Sequence, residues 1–110
     1  MNYSVKITDL AEEDILSTVK YISGVLKNTV AANNLLDEIE KHEKILEEMP
    51  NIYSFVNDEY LFQKGLKYVR IKNYLMFYTI DENVKIVNVI RFLHGRMNWQ
   101  YILKEIVNSD

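Results

Sequence analysis

The sequence predicts an α+β fold in which a four-stranded sheet packs against an α-helical hairpin and a short C-terminal helix. Three observations support this fold class. The N-terminus alternates polar and apolar residues, as a strand with one buried face does. Residues 10–49 hold two amphipathic helical repeats, and residues 66–93 hold three strand-like runs with very short connections. Connections this short require antiparallel neighbours, so the runs form a three-stranded antiparallel meander that the N-terminal strand completes to a four-stranded sheet.

The first strand and the first helix are predicted from local patterns. In residues 3–8, apolar residues alternate with polar ones, which indicates a strand. Asp9 followed by Glu12 resembles a capping box that opens a helix of roughly residues 10–26. The apolar face of this helix consists of Ala11, Ile15, Val19, Ile22 and Leu26.

A polar turn at residues 27–29 precedes the second helix, which Pro50 ends. The apolar face of the second helix consists of Ala32, Leu35, Ile39, His42, Leu46 and Met49. The two helices form a hairpin. Because His42 lies on the apolar face, it is either a buried proton donor or a histidine at the edge of the core that bonds to a neighbour. General burial preferences favour the second interpretation.

The rest of the chain supplies the meander and the last helix. An aromatic-rich connection, residues 50–64, is expected to pack as a loop or a single helical turn. The strands span residues 66–72, 74–80 and 84–93, and the last one is apolar at odd and even positions, as a central strand is. The C-terminal helix has an apolar stripe that the sheet or a partner must cover. This stripe consists of Trp99, Ile102, Leu103 and Ile106.

Length and composition restrict the chemistry. The 110 residues suit one domain, predicted to span residues 1–110. The absence of cysteine excludes disulfides, thiolate metal sites and cysteine nucleophiles, and it fits a reducing compartment. No segment holds eighteen consecutive apolar residues, so no membrane span is predicted and a cytoplasmic protein is expected. Two histidines 52 positions apart and scattered carboxylates predict no metal site, and no cofactor is expected.

Charge is distributed unevenly along the chain. The net charge is -3, but residues 1–62 carry five lysines and twelve acids, whereas residues 63–110 carry eight bases and four acids. Between residues 63 and 80, four bases occur without any acid: Lys64, Lys67, Arg70 and Lys72. If these bases share a surface with the later arginines, they form a positive patch that suits RNA, DNA or an acidic partner segment.

The end of the last strand is the first candidate for a functional site. It carries Arg91, His94 and Arg96 within six residues, and Gly95 allows the backbone to turn there. Guanidinium groups bind phosphate or carboxylate bidentately, and imidazole transfers protons near neutral pH. The sequence therefore predicts that these three side chains converge on one cleft.

Several segments together resemble the RelE/ParE superfamily of bacterial toxins, the toxin halves of type II toxin-antitoxin modules. These segments are residues 3–8, 11–14, 69–78 and 89–96, followed by Trp99. Their order, their spacing and the chain length agree together over nearly the whole sequence. The resemblance implies the α+β fold described above and a cognate antitoxin as partner.

Members of this superfamily have two kinds of target. RelE-like toxins cut messenger RNA on the ribosome, whereas ParE-like toxins block DNA gyrase without a nuclease role. Because the fold is shared, the site must decide between them. RNA cleavage by its own 2′-hydroxyl needs an acid or base and cations at the phosphate, and the resemblance implies His94 for the first role with Arg96 and Arg70 as the clamp. Further phosphate or RNA contacts are expected from Lys67, Lys72, Arg91, Tyr68 and Tyr74.

The resemblance favours a RelE-like toxin, a metal-free endoribonuclease that inhibits translation and arrests growth. Leu75, however, stands where many RelE-like sequences carry an arginine, and the net charge is acidic. Gyrase inhibition is the main alternative, and an inactive toxin-derived binding module is the third.

Structural roles compete with several of these assignments. Arg91 can pair with an acid of the hairpin, Tyr68 and Tyr74 can be half-buried packing residues, and Trp99 can anchor the core or an interface. The antitoxin is expected to present a helix and an extended segment whose carboxylates cover the positive patch. Its expected contacts are Arg70, Arg96, Trp99 and Ile102.

Overall fold

The chain folds into one four-stranded sheet with a helical hairpin on one face and two short helices on the other. This computed structural model describes residues 2–107, so residues 1 and 108–110 of the predicted domain lie outside it. The elements are β1 (Ser4–Ile7), α1 (Asp9–Lys20) continued by a π-helical turn (Tyr21–Val25), α2 (Thr29–Glu48), α3 (Glu59–Gln63), β2 (Lys67–Ile71), β3 (Tyr74–Asp81), β4 (Ile86–His94) and α4 (Trp99–Val107). The predicted α+β architecture is confirmed.

The strand order is β1-β4-β3-β2, so β4 lies inside the sheet as predicted. β2, β3 and β4 form the antiparallel meander, and β1 pairs with β4 in parallel from Ser4 opposite Ile86 to Ile7 opposite Val89. A parallel pair needs a long crossover, which the rest of the chain supplies. Beyond Val89, β4 continues past the end of β1, and its edge there is open to α1.

Each of the two hairpin helices begins at a polar residue that caps it. The hydroxyl of Thr8 accepts a hydrogen bond from the N–H of Ala11 at 3.4 Å and donates one to the carbonyl of Val89 at 2.9 Å. The cap is therefore Thr8, one residue before the predicted Asp9, because only Thr8 also reaches β4. Between the helices, Lys27 adopts a φ of 52°, and Asn28 caps α2 by accepting from the N–H of Ala31.

The sheet separates two hydrophobic clusters. The hairpin side buries residues of α1, α2 and the sheet, among them Ala11, Leu35, Leu46, Met76, Tyr78, Val89 and Phe92. The opposite side buries Val56, Leu61, Leu66, Leu75, Phe77, Leu93 and Leu103. Leu103 of α4 is fully buried in this second cluster, and Trp99 and Ile102 of the same apolar stripe are partly buried against it.

The connection of residues 50–64 is ordered by α3, in agreement with the prediction of a single helical turn. Asp58 caps α3 by accepting from the N–H of Leu61 at 3.1 Å, and it also forms an ion pair with Lys104 of α4 at 3.0 Å. His42 donates from Nδ1 to the carbonyl of Glu38 at 2.8 Å, which agrees with a histidine at the edge of the core. None of the helices in residues 2–107 combines the length and the apolarity that crossing a bilayer requires.

Candidate functional site

The candidate site lies where the β2–β3 turn meets the end of β4. Tyr74 pairs with His94 in the sheet, and the N–H of Gly95 donates to the carbonyl of Asn73 at 2.8 Å. These contacts hold the turn against the strand end. The resulting cavity of about 370 Å³ is lined by Arg70, Asn73, His94, Gly95 and Arg96. The three residues predicted as catalytic therefore share one cavity.

Gly95 lies close to the β2–β3 turn and to Arg70. A Cβ atom at this position would lie 3.4 Å from the carbonyl oxygen of Asn73 and 3.9 Å from Nη1 of Arg70, which are ordinary contact distances. The fold therefore has room for a methyl group here, and the part of Gly95 in the site is its N–H, which bonds to Asn73.

The imidazole of His94 is held by the backbone that follows it. The N–H of Arg96 donates to Nδ1 of His94 at 3.1 Å, and the ring of Tyr74 packs edge-on at 5.3 Å between centroids. A nitrogen that accepts a hydrogen bond carries no proton, so the neutral ring carries its proton on Nε2. In this arrangement the neutral imidazole offers the cavity a donor and no free lone pair.

Arg91 does not belong to this cavity, and the prediction that it converges with His94 and Arg96 is wrong. Its Nε and Nη2 donate to the carboxylate of Asp14 at 2.6 and 2.8 Å, and Phe92 N–H donates to the same carboxylate at 3.0 Å. Asp14 thus occupies the open edge of β4. The competing interpretation, an ion pair with the hairpin, is the correct one. The hydrogen bond to Asp14 raises the pKa of Arg91 above its usual value.

Lys67 is also unavailable as a phosphate ligand. Its side chain is only 6% exposed, donates to the carbonyl of Tyr53 at 2.8 Å and lies 3.8 Å from the ring centroid of Phe55. Burial lowers the pKa of this ammonium group. Lys67 holds the 53–55 segment to the sheet by a hydrogen bond and a cation–π contact.

The other residues predicted to contact RNA or the antitoxin lie outside the candidate cavity, most of them at two cavities beside it. Lys72 and Tyr74 line a neighbouring cavity on the hairpin side, while Tyr68 and Trp99 line one on the α4 side. Tyr74 stacks on Phe92, and Trp99 packs on Phe77, so both rings also have packing roles. Ile102 is partly buried against the second hydrophobic cluster. Their predicted contacts with RNA or antitoxin stay predictions.

The sequence did not identify one residue of the site, Asn73, or one residue that supports the strand carrying it, Asp14. Asn73 lines the cavity and accepts from Gly95, and its position in a two-residue turn opposite His94 was the available signal. Asp14 supports β4 through Arg91, but nothing near Asp14 in the sequence marks a partner 77 residues away. Within residues 2–107, no three His, Asp or Glu side chains are grouped so that they could hold a metal ion.

The fold agrees with the predicted RelE/ParE toxin superfamily, and a match to a family model confirms this prediction. The chain belongs to the ParE toxin family of type II toxin-antitoxin systems, parDE, whose family model matches residues 5–99. No curated protein sequence matches the chain significantly.

Solved toxin-antitoxin structures share this fold. The chromosomal ParDE system from P. aeruginosa matches with a TM-score of 0.67 and 17% identity, over 84% of this chain and 96% of that one. An archaeal RelE-RelB complex from Pyrococcus horikoshii OT3 matches with a TM-score of 0.58 and 18% identity, over 88% and 100% of the two chains. The RelBE2 toxin-antitoxin complex from Mycobacterium tuberculosis matches with a TM-score of 0.50 and 18% identity, over 86% of this chain and 99% of that one. At these identities the likeness concerns the fold alone.

Proposed function

We propose that this toxin acts by binding and inhibiting DNA gyrase, not by cutting RNA. The hydrogen bond at His94 carries the proposal. A general base must have a free lone pair within reach of the proton that it removes. Nδ1 of His94 already accepts the N–H of Arg96. This ring nitrogen would have to give up that bond before it could remove a proton from a bound hydroxyl.

The cations around the cavity also suit binding better than catalysis. Arg91 is paired with Asp14, and Leu75 is 7% exposed at the position where RelE-like sequences often carry an arginine. Arg70 and Arg96 remain as the arginines of the cavity. Two guanidinium groups recognise a carboxylate or phosphate, but RNA docking on the ribosome gains from wider positive charge than a chain of net charge -3 offers.

A RelE-like endoribonuclease is the second candidate, because Arg70, His94 and Arg96 do line one cavity. Cleavage by this cavity would require His94 to release the N–H of Arg96 and present Nδ1, or to act as an imidazolium. The third candidate, an inactive binding module, keeps the same cavity for a partner alone.

Two assays on the purified toxin test these alternatives. In the first, gyrase supercoils relaxed plasmid in the presence of increasing toxin. In the second, ribosomes programmed with a defined message are incubated with toxin, and new RNA ends are mapped. We expect dose-dependent loss of supercoiling and no new ends. Cuts in the ribosomal A site that His94→Asn abolishes would reject the proposal in favour of the nuclease. Absence of both effects would support the inactive module.

We also propose a cognate antitoxin as the partner of this chain, and the bacterial cytoplasm, where gyrase works, as its location. The solved relatives from P. aeruginosa, P. horikoshii and M. tuberculosis are described as toxin-antitoxin systems or complexes. The whole chain, residues 1–110, is proposed to act as a single toxin domain. Carboxylates of the antitoxin would pair with Arg70 and Arg96, which take part in none of the ion pairs within residues 2–107.

A further inference from the structure

The tip of the helical hairpin differs from the rest of the hairpin in charge. Residues 1–62 carry twelve acids, but none of them lies in residues 15–36, where the chain turns from α1 into α2. This stretch contains two lysines, Lys20 and Lys27. Residues 20–31, here called the hairpin tip, are therefore a cationic end on an otherwise acidic helical layer.

The hairpin tip exposes four large apolar side chains. The sequence places Leu26 on the apolar face of the first helix, but this prediction is wrong, because Leu26 is 56% exposed. Its N–H donates to the carbonyl of Tyr21, five residues earlier, at 3.0 Å, as in a π-helical turn. The wider turn rotates Leu26 away from the buried face. The other exposed apolar side chains of the tip are Tyr21, Val25 and Val30, which are 52%, 67% and 70% exposed.

The backbone of the hairpin tip is closed by local hydrogen bonds. Asn28 donates its N–H to the carbonyl of Ile22 at 3.0 Å, and its side-chain oxygen accepts from the N–H of Ala31 at 3.0 Å. The hydroxyl of Ser23 donates to the carbonyl of Val19 at 2.9 Å. These bonds make the tip a preformed knob, so a partner does not have to order it on binding.

An apolar groove lies at the opposite end of the hairpin, between the first half of α1, the middle of α2 and β1. This cavity, here called the base groove, has a volume of about 590 Å³. Leu16 and Leu36 are exposed on its two helices, above the buried side chains of Ile15 and Ile39. Among the described residues, the charged groups of its lining are three glutamates: Glu12, Glu40 and Glu43. The base groove therefore suits an apolar group that has positive charge beside it.

The glutamates of the base groove have few positive partners. Glu40 pairs with Lys44 at 3.5 Å, whereas Glu12 and Glu43 take part in none of the ion pairs within residues 2–107. Burial raises the pKa of Glu43, and the nearby carboxylates of Glu40 and Glu47 raise it further. A lysine brought to this groove reduces that repulsion without displacing an internal partner of Glu12 or Glu43.

The hairpin tip and the base groove complement each other in polarity and charge, but they do not meet within one chain. Residues 15 and 25 are separated by about 15 Å along the helix axis, at about 1.5 Å per residue. The tip therefore reaches only the groove of another copy.

We propose that this chain self-associates head to tail, with the hairpin tip of one copy seated in the base groove of another. Val25 and Leu26 of the tip pack on Leu16 and Leu36 of the groove, and the tip lysines lie beside the glutamates. Each copy has one tip and one groove, so the association closes into a ring or grows into a chain. One knob in one cavity is a small interface, so we expect assembly at about 10–100 µM and not at nanomolar concentrations.

Sedimentation velocity of the purified full chain tests the association, and we expect the average mass to rise with concentration. Two double variants locate the contact. Val25→Glu with Leu26→Glu removes apolar contact and adds repulsion at the tip, and Leu16→Lys with Leu36→Lys does the same at the groove. All four positions are exposed, so the fold should tolerate these changes. Each pair should weaken the association by about tenfold or more.

The matched control is Ile52→Glu with Val84→Glu. Both positions are exposed, lie outside the tip and the base groove, and receive the same charge as the tip pair. The control should change the association by less than about twofold. Circular dichroism should show the helix content of the wild type in all three variants.

Mixing the two defective variants separates a contact between tip and groove from non-specific aggregation. The tip pair keeps an intact groove and the groove pair keeps an intact tip, so two chains of the mixture share one working contact. At concentrations where the wild type assembles, each variant alone should be a monomer. Their equimolar mixture should form a 1:1 dimer and nothing larger.

A wild-type chain that stays monomeric, a mixture that stays monomeric, or an equal loss in the control pair would overturn the inference. A monomeric wild type that sediments with phosphatidylglycerol vesicles through its tip would assign the tip to a lipid surface instead. The inference goes beyond the proposed function and is tested separately from it, because neither the tip nor the base groove contains a residue of the candidate cavity.

Discussion

At the scale of single residues, Asp14 supports the end of β4 that carries the candidate site. It accepts three hydrogen bonds, two from Arg91 and one from the N–H of Phe92. Both charged side chains are mostly buried, with 14% and 18% exposure for Asp14 and Arg91. An ion pair in such a position contributes little net stability over an apolar pair, but removing one partner leaves an uncompensated charge.

We therefore expect Asp14→Ala to lower the free energy of unfolding by about 2–4 kcal/mol, measured by urea denaturation. The double variant Asp14→Leu with Arg91→Met should recover about half of that loss or more, because no charge is left buried. Asp37→Ala, an exposed acid on α2, serves as the control and should change stability by less than about 0.5 kcal/mol. An Asp14 variant as stable as this control would show that the ion pair does not support β4.

Asp58 provides a pH-dependent contact between α3 and α4. Its pKa is lowered below the usual value, first by the hydrogen bond from the N–H of Leu61 and then by the one from Lys104. Because the folded state favours the carboxylate, Asp58 stabilises the fold above its unfolded pKa of about 3.9. That contribution is lost as the pH falls through the lower pKa of the folded state.

Comparing the wild type with Asp58→Asn isolates this contribution, because asparagine keeps a cap oxygen for Leu61 but has no charge. The wild type should be more stable than the variant at a pH of about 6, and the difference should shrink as the pH falls below the unfolded pKa and through the lower pKa of the folded state. Urea midpoints, measured for both proteins over a series of decreasing pH values, give this difference in stability. A difference that stays constant with pH would mean that the charge of Asp58 contributes nothing.

At the scale of elements, local sequence determines that the two helices of the hairpin form, and tertiary contacts determine where the first one begins. The periodicity of apolar residues predicted both helices and the turn between them, because a helix must bury one face. The exact first residue was set by a contact with another element: Thr8 caps α1 while also bonding to Val89 of β4. The sequence pattern favoured Asp9 as the cap, but the bond to the carbonyl of Val89 is made by Thr8.

The turn of the hairpin contains a residue in an unfavourable backbone conformation. Lys27 follows the π-helical end of the first helix with a φ of 52°, a region that costs non-glycine residues about 1–2 kcal/mol. Lys27→Gly should raise the free energy of unfolding by about 0.5 kcal/mol, since the relief exceeds the added chain entropy of glycine. Lys20→Gly, within α1, should instead lower it by about 1 kcal/mol. Thermal and urea denaturation measure both changes, and a destabilised Lys27→Gly variant would contradict the argument.

At the scale of the whole molecule, the acidic hairpin lies on one face of the sheet, and the cationic cavity lies where the β2–β3 turn meets the end of β4. The uneven charge along the sequence becomes a division in space, because the acid-rich first half forms the hairpin and the basic second half forms the meander. A partner that carries acidic and basic segments can therefore be oriented by the field of the whole protein.

The proposed antitoxin should respond to this division. Arg70→Glu with Arg96→Glu should weaken the complex by about a hundredfold, because two attractive contacts become repulsive. Lys41→Glu with Lys44→Glu changes the net charge equally but lies on α2, and it should weaken the complex by less than about threefold. Isothermal titration calorimetry at fixed salt measures both. Equal effects of the two pairs would mean that net charge, and not the cavity that Arg70 and Arg96 line, governs the affinity.

The sequence by itself determined the fold class, the order of the elements and the position of the basic half of the chain. These features follow from hydrophobic periodicity, turn length and composition, which act over a few neighbouring residues. The superfamily was indicated by the resemblance of whole segments to known toxins. The sequence also located His94, Gly95 and Arg96 correctly at the exit of one strand, because neighbours in sequence remain neighbours in space.

Only the tertiary structure decided which charged groups are free to act. It brought Arg70 to His94 across the sheet, paired Arg91 with Asp14, and buried Lys67 under Tyr53 and Phe55. Long side chains find their partners among groups that the packing of helices on the sheet brings close, and such groups are far apart along the chain. The hydrogen bond at Nδ1 of His94 likewise comes from one backbone N–H, a group that every residue except proline carries and that no sequence pattern distinguishes.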